Sequence, residues 1–234
     1  MFRKVLTLVA VSLLWCVGSE SVWARQSMEL EQRLRECTTV VKSMMEAADG
    51  GIPAELLNRS RAIIIFPSLL KAGLGLGGHY GKGVILARHA KTDKWGPPAF
   101  LSMMGGSIGW QLGIQATDLV ILVMNRVNLQ AVFKDKFTIG ADASIAAGPV
   151  GREASAGTDI SLQAGMLSYS RSKGLFAGVS IKGTILEPDW NANETYYGSD
   201  ASLIDVFFQG KGQVSAAGRE LIRVLNAYTA GRRK

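Results

Sequence analysis

From Met28 to Ala48 the apolar positions Leu30, Leu34, Cys37, Val41, Met44 and Ala48 recur at alternating spacings of four and three. That spacing keeps them on one face of an α-helix. The other face carries Glu29, Glu31, Arg33, Arg35, Glu36 and Lys42. A membrane-surface helix favours a polar face rich in Lys and Arg, so this mixed face predicts docking on the protein's own core. Gly50 and Gly51 end the helix, and Pro53 suits the first turn of a short helix running through Leu57.

The period then shortens towards two, and from Ala62 to about Leu186 the chain reads mainly as strands. The first is a β-branched run from Ala62 to Phe66, stopped by Pro67. The others are His79 to Arg88, Ala99 to Met104, Ile108 to Ile114, Asp118 to Met124, Phe137 to Ala146, Ile160 to Ser168 and Leu175 to Leu186. A helix from Arg126 to Phe133 interrupts them, with Asn125 as its N-cap. After Asp200 a short helix runs through Phe208. A terminal helix from Ser215 to Ala230 follows, with Leu221, Val224, Leu225 and Tyr228 on its apolar face.

The chain has 27 glycines, concentrated in the strand region at positions such as Gly73, Gly75, Gly77, Gly78, Gly81 and Gly83. Glycine weakens a strand unless it serves a bulge, sharp coiling or close backbone approach. Small residues also crowd Ala141 to Ala156. The predicted fold class is α+β: a strongly curved antiparallel β-sheet or barrel-like sandwich with N- and C-terminal helices packed on it.

Arg3 and Lys4 precede an uncharged, mostly apolar stretch from Val5 to Val17, the layout of a signal peptide. Its 13 residues fall short of the roughly 20 that span a bilayer as a helix. Cleavage after Ala24 is expected, leaving residues 25–234 as a single domain without a linker, in the periplasm or cell envelope. A lipid anchor would use Cys16, but bulky Trp15 stands where a small residue is needed. Only Cys37 survives this processing, so no intramolecular disulfide forms.

The net charge is +7, and between Arg61 and Lys182 there are 13 Lys or Arg against 6 Asp or Glu. The excess favours anionic partners. For an exported protein these are phospholipid headgroups, lipopolysaccharide or acidic glycans, and the address argues against nucleic acid. Two basic hairpin loops are the candidate contacts. Arg88, His89, Lys91 and Lys94 lead into Trp95; Arg171 and Lys173 precede Leu175 and Phe176. Positive charge beside an apolar or aromatic group suits a headgroup interface. The case strengthens if both loops share one end of the sheet.

Patterns associated with catalysis lack their context. Gly73, Gly75 and Gly78 match G-x-G-x-x-G but lead into a strand rather than a helix N-terminus. Gly105, Ser107 and Gly109 match G-x-S-x-G, again between strands and not at a strand-to-helix elbow. Ser170 and Lys173 give S-x-x-K in a hairpin. One cysteine and two histidines, His79 and His89, do not reproduce a zinc cluster. Asp118 and Asp142 are expected to accept backbone hydrogen bonds at strand ends. No catalytic residue, cofactor or metal is assigned.

Several long motifs occur in a recognisable order: Trp95 to Phe100 (WGPPAF), Gly106 to Gly113 (GSIGWQLG) and Thr117 to Asn125 (TDLVILVMN). They continue through Gly140 to Ala156 (GADASIAAGPVGREASA), Tyr169 to Gly183 (YSRSKGLFAGVSIKG) and Asn193 to Gly198 (NETYYG). Together they resemble the SYLF domain over nearly all the chain after Ala24, with departures at Gly96 and Trp110. The resemblance implies lipid binding; eukaryotic relatives take phosphoinositides and also meet actin. The expectation is a non-enzymatic lipid-binding module of the bacterial envelope that contacts anionic lipid through Arg88, Lys91, Lys94, Trp95, Arg171 and Lys173. The alternatives are an envelope protein–protein assembly factor and a hydrolase at Ser107, the latter requiring His79 or His89 within reach.

Overall fold

In the computed structural model α1 runs from Phe2 to Met45. The structure describes residues 2–47, 51–133, 136–150, 164–172, 175–178, 181–199, 206–207 and 212–230. The helix docks from Leu30 onward: Leu30, Leu34, Cys37, Val41 and Met44 are all buried, as their spacing requires. They pack in one cluster with Leu56 and Leu57 of α2 (Ala54–Arg59) and Leu221, Val224 and Leu225 of α5 (Ala216–Ala230). The chain leaves α1 through Gly51 at φ +28°, where an added Cβ would sit 2.7 Å from the Met44 carbonyl oxygen. Among the described residues no helix is long and apolar enough to cross a membrane.

β1 (Ala62–Arg88) and β2 (Trp95–Val123) form one long antiparallel ribbon, with Ala62 opposite Val123 and Arg88 opposite Trp95. Pro67 therefore does not stop the first strand. The chain absorbs it in a bulge between Phe66 and Leu69, where Ser68 takes φ +56° and its N–H donates to Asp118 Oδ1 at 3.0 Å. A second irregularity falls at Leu74 and Gly75. Bulges bend and coil a ribbon, and here the two ends of β1 meet: the Arg88 N–H donates to the Arg61 carbonyl at 2.8 Å. Gly83 lies in that approach, since a Cβ there would be 2.3 Å from the Ile65 oxygen.

Alternate residues of the ribbon point to opposite faces, and both faces are buried along Ala62–Phe66, Val84–Ala87, Ala99–Leu101 and Leu119–Val123. Ile63, Ile65, Val84, Leu86, Phe100, Val120 and Leu122 face the helices. Ile64, Phe66, Ile85, Leu101, Met103, Leu119, Ile121 and Val123 fill the inside of the curl. This double burial is why these strands read as unbroken apolar runs rather than alternating ones.

The sheet continues as β3 (Phe137–Thr138), β4 (Ile145–Ala147), β5 (Met166–Ser172), β6 (Leu175–Gly178) and β7 (Ile185–Pro188). β2 lies between β7 and β5, with β3 beyond β7, and β4 and β6 on β5. β4 pairs with β5 in parallel, so the curved sheet is mixed rather than purely antiparallel. The predicted strand from Phe137 to Ala146 breaks at Gly140, φ +93°. The one from Leu175 to Leu186 divides into β6 and β7.

α3 (Arg126–Val132) starts where expected, with the Asn125 side chain accepting the Asn128 N–H at 2.9 Å. α4 (Trp190–Tyr197) is a helix that apolar periodicity did not signal. Of the two elements predicted at Ile160 to Ser168 and after Asp200, residues 160–163, 200–205 and 208 lie outside the described residues.

Candidate functional site

The turn between β1 and β2 is closed by two backbone bonds, His89 N–H to the Lys94 oxygen at 2.8 Å and Asp93 N–H to the His89 oxygen at 2.9 Å. Asp93 adopts φ +57°, a left-handed conformation that aspartate tolerates. Its carboxylate gathers two cations. Arg88 Nη1 lies 3.0 Å from Oδ2, and Arg61 Nη1 lies 4.0 Å from Oδ1. Arg88 Nη1 also donates to the Asp93 carbonyl at 3.1 Å, which fixes the shape of the turn.

Arg88 and Trp95, both expected as exposed lipid contacts, are internal. The Arg88 side chain is 4% exposed, its second nitrogen donates to the Leu57 carbonyl at 3.3 Å, and its guanidinium lies 4.8 Å from the Trp95 ring centroid. Trp95 is 4% exposed and belongs to the helix-side core. An arginine whose two terminal nitrogens are engaged and an indole inside a core cannot reach a headgroup without unfolding the hairpin neck. Both are corrected from contacts to supports.

The turn keeps Lys91 and Lys94 in solvent. Beside it stands Arg126, exposed at the first position of α3. Arg61, His89 and Arg126 line one small cavity of about 100 Å³, so α3 and the turn converge on the same end of the sheet. Among the described residues Lys91, Lys94 and Arg126 form no ion pair. Arg126 also sits at the positive end of its helix, where a cation is mildly unfavourable. Val127, 76% exposed, completes a basic surface with an apolar tip. Sequence reasoning missed Arg61, Arg126 and Val127. The available signal was an Arg-Val pair directly after an N-cap, with no helical face to bury the valine.

The second loop is a separate place. Arg171 is half-buried, opposite Asp118, and Lys173 lies outside the described residues. Asp118 pairs with Arg171, while Val123 pairs with Met166 and Ala62. At about 3.4 Å per residue, that stretch of β2 sets Arg171 roughly 17 Å along the strand from the Val123 rung, away from the basic turn.

The catalytic patterns find no context. β2 passes through Gly105, Ser107 and Gly109 as continuous strand, not as an elbow into a helix. His79 Nε2 is within 3.0 Å of Thr184 Oγ1, and burial, with Lys71 nearby, holds its imidazole below the usual range. His89 sits in the turn at the far end of the ribbon from Ser107. Asp118 and Asp142 accept backbone N–H groups from Ser68 at 3.0 Å and Thr138 at 2.6 Å. Cys37 is buried, with its thiol pushed well up by desolvation. Among the described residues no three His, Cys, Asp or Glu side chains gather as a metal site.

Residues 104–228 match the profile of the Ysc84 family, described as Las17-binding protein actin regulator. The chain is 38% identical over 181 residues to an SH3 domain-containing protein of Schizosaccharomyces pombe, covering 75% of this chain and 41% of that one. It is 35% identical over 184 residues to LAS seventeen-binding protein 3 of Saccharomyces cerevisiae, covering 77% and 39%. With SH3 domain-containing YSC84-like protein 1 of Homo sapiens it shares 30% identity over 197 residues, covering 84% and 56%. The chain therefore spans about two-fifths to just over half the length of these relatives, one of which is named as a binding protein. With the motif order, the curled sheet and these matches in agreement, the chain belongs to the Ysc84 family, the family of the SYLF domain.

Proposed function

We propose that this chain is a non-catalytic binding module of the cell envelope that contacts anionic lipid headgroups with the basic end of its long hairpin. One observation carries the reading: Lys91, Lys94 and Arg126 are exposed beside Val127, with no carboxylate partner among the described residues. Attraction comes from the cations, and retention from shallow insertion of Val127. Juxtamembrane basic residues contribute about 1 kcal/mol each near a negatively charged surface. Arg88 and Trp95 serve by holding the turn, not by touching lipid. Arg171, half-buried opposite Asp118, is not part of this surface.

Export rests on Arg3 and Lys4 ahead of the apolar stretch from Val5 to Val17. It is consistent with the exposure of Trp23, Ala24 and Arg25 around the expected cleavage position. The intact mass of protein from the envelope fraction tests it. A mature chain beginning at Arg25 is expected; a chain retaining residues 1–24 would overturn export, whereas one beginning at an acylated Cys16 would overturn only the cleavage after Ala24.

A protein partner is the second reading, favoured by the names of the relatives, one a LAS seventeen-binding protein and one an actin regulator family. The two readings separate on vesicles of phosphatidylglycerol in phosphatidylcholine. Binding that rises with anionic content supports the lipid reading, and no binding at any content moves the protein partner ahead.

A further inference from the structure

Away from the basic turn, the outer face of the ribbon carries a second built place. Gly81 and Gly83 face inward against Leu69 and Phe66, and Leu101 and Met103 lie in the inner core. The pleat therefore turns Tyr80, Lys82, Ser102 and Met104 outward, in the cross-strand pairs Tyr80–Met104 and Lys82–Ser102. α4 begins beside them, and a cavity of about 290 Å³ lies between Tyr80, Lys82, Ser102, Asp189, Trp190 and Asn191. Tyr80 is 47% exposed and Trp190 is 55% exposed.

The site is rigid. Asp189, whose side chain is 12% exposed, has its Oδ2 3.2 Å from Lys82 Nζ and 3.7 Å from Arg33 Nη1. Its Oδ1 accepts the Ala192 N–H at 3.2 Å, and its own N–H donates to the Phe100 carbonyl at 3.0 Å. Asn193 then pins α4 to β2, accepting the Phe100 N–H and donating to its carbonyl, both at 2.8 Å. Single exposed aromatics are ordinary. Two lining one cavity, with a charged pair, an amide and a hydroxyl among them, form the pattern of a small-molecule site, apolar walls and a few placed polar groups.

We infer that this cavity binds an acidic saccharide. The volume is at the lower edge of the roughly 300–1,000 Å³ typical of ligand sites, a size for a sugar ring rather than a lipid tail. The C–H faces of the ring lie on Tyr80 and Trp190, and its hydroxyls meet Ser102 and Asn191. Asp189 is held by two cations, Lys82 in the cavity and Arg33 outside its lining; the triad carries a net positive charge, which selects a sugar carrying its own carboxylate. Lys82 also borders a cavity of about 550 Å³ along α1, lined by Arg25, Arg33 and Arg35 against Glu29 and Glu36, so neighbouring units of an acidic chain meet a modest positive excess there.

The probe is trigalacturonic acid, titrated by calorimetry and followed through the tryptophan indole N–H signals, with maltotriose and inorganic phosphate in parallel. Saturable binding that shifts the Trp190 indole is expected, with maltotriose at least about tenfold weaker. Trp190→Ala and Tyr80→Ala should each weaken binding about tenfold or more without moving the thermal midpoint. Trp190→Phe should retain most of it. Trp190→Ala should bind phosphatidylglycerol vesicles as wild type does. Absence of saturable binding would overturn the inference, as would binding indifferent to both aromatics. Phosphate matching trigalacturonate would reduce the site to a plain cation pair, and loss of vesicle binding in Trp190→Ala would assign the aromatic to the membrane instead.

Discussion

Arg88 and Trp95 face each other across the last rung of the ribbon, with the guanidinium 4.8 Å from the centre of the indole. Two positions that resemble an exposed basic-aromatic motif are thus a buried joint between the turn, α2 and the core. Trp95→Ala should destabilise by roughly 3 kcal/mol or more, the range for deleting a core aromatic. Arg88→Ala should cost about 1–3 kcal/mol through lost packing and charged hydrogen bonds. Urea unfolding measures both. Wild-type stability in either variant, coupled to lost vesicle binding, would return these residues to the surface.

Gly83 tests the curl of the ribbon. An alanine Cβ there would sit 2.3 Å from the Ile65 oxygen and 2.6 Å from the Phe66 ring, and the first neighbour is backbone that cannot step aside. Gly83→Ala should destabilise by roughly 1–3 kcal/mol, the usual cost of overpacking. Gly106→Ala meets nothing within 4 Å and should be close to neutral. Equal thermal midpoints for the two would show that the ends of β1 do not approach.

The readability of the fold followed the kind of contact involved. The docking face of α1 could be read at Leu30, Leu34, Cys37, Val41 and Met44 because apolar burial on a helix has a period. α4 could not, because its anchor is polar: Asn193 bonds the Phe100 backbone. Its signals were an N-cap at Asp189 and a Gly198 at φ +90°. Pro67 was misread because a bulge can absorb a proline that would otherwise end a strand. At the site, Lys91 and Lys94 were legible as loop cations. Arg126 and Val127 were not, since their approach to the turn depends on the closure of the sheet.

Alkaline stability follows from buried phenols. Desolvation raises the pKa of Tyr169 and, with Tyr196 nearby, that of Tyr197, both above the ordinary value of 10.0. A raised pKa means that the folded state holds its proton longer than the unfolded state. The stabilisation is complete below about pH 10 and declines as pH rises further, by up to about 1.4 kcal/mol per pH unit for each tyrosine. Tyr228, pushed up to about 12 by burial and then by its hydrogen bond to Glu46, adds less, because solvent screens a phenol that is largely exposed. Unfolding midpoints between pH 8 and pH 12, about two units either side of the free phenol, should be level at first and then fall. A level profile throughout would place these phenols in solvent.

Cys37 is buried in the first helix, 3.9 Å from the Ile65 carbonyl, and desolvation disfavours its thiolate. Labelling of the native protein by a thiol reagent should proceed only as fast as the helix opens. Rapid stoichiometric labelling under native conditions would contradict the docking of α1.

Lipid contact through the basic turn is tested most directly by vesicle binding of a Lys91→Gln, Lys94→Gln, Arg126→Gln triple variant across a salt series. Removing three cations at about 1 kcal/mol each should weaken binding to phosphatidylglycerol vesicles roughly a hundredfold, with the fold intact because none of the three supports the core. Wild-type binding should fall as salt rises past about 0.1 M, where exposed charges are screened within roughly 10 Å, and the variant should show a flatter dependence. Binding by the folded triple variant that matches wild type in affinity and in salt dependence would contradict the account.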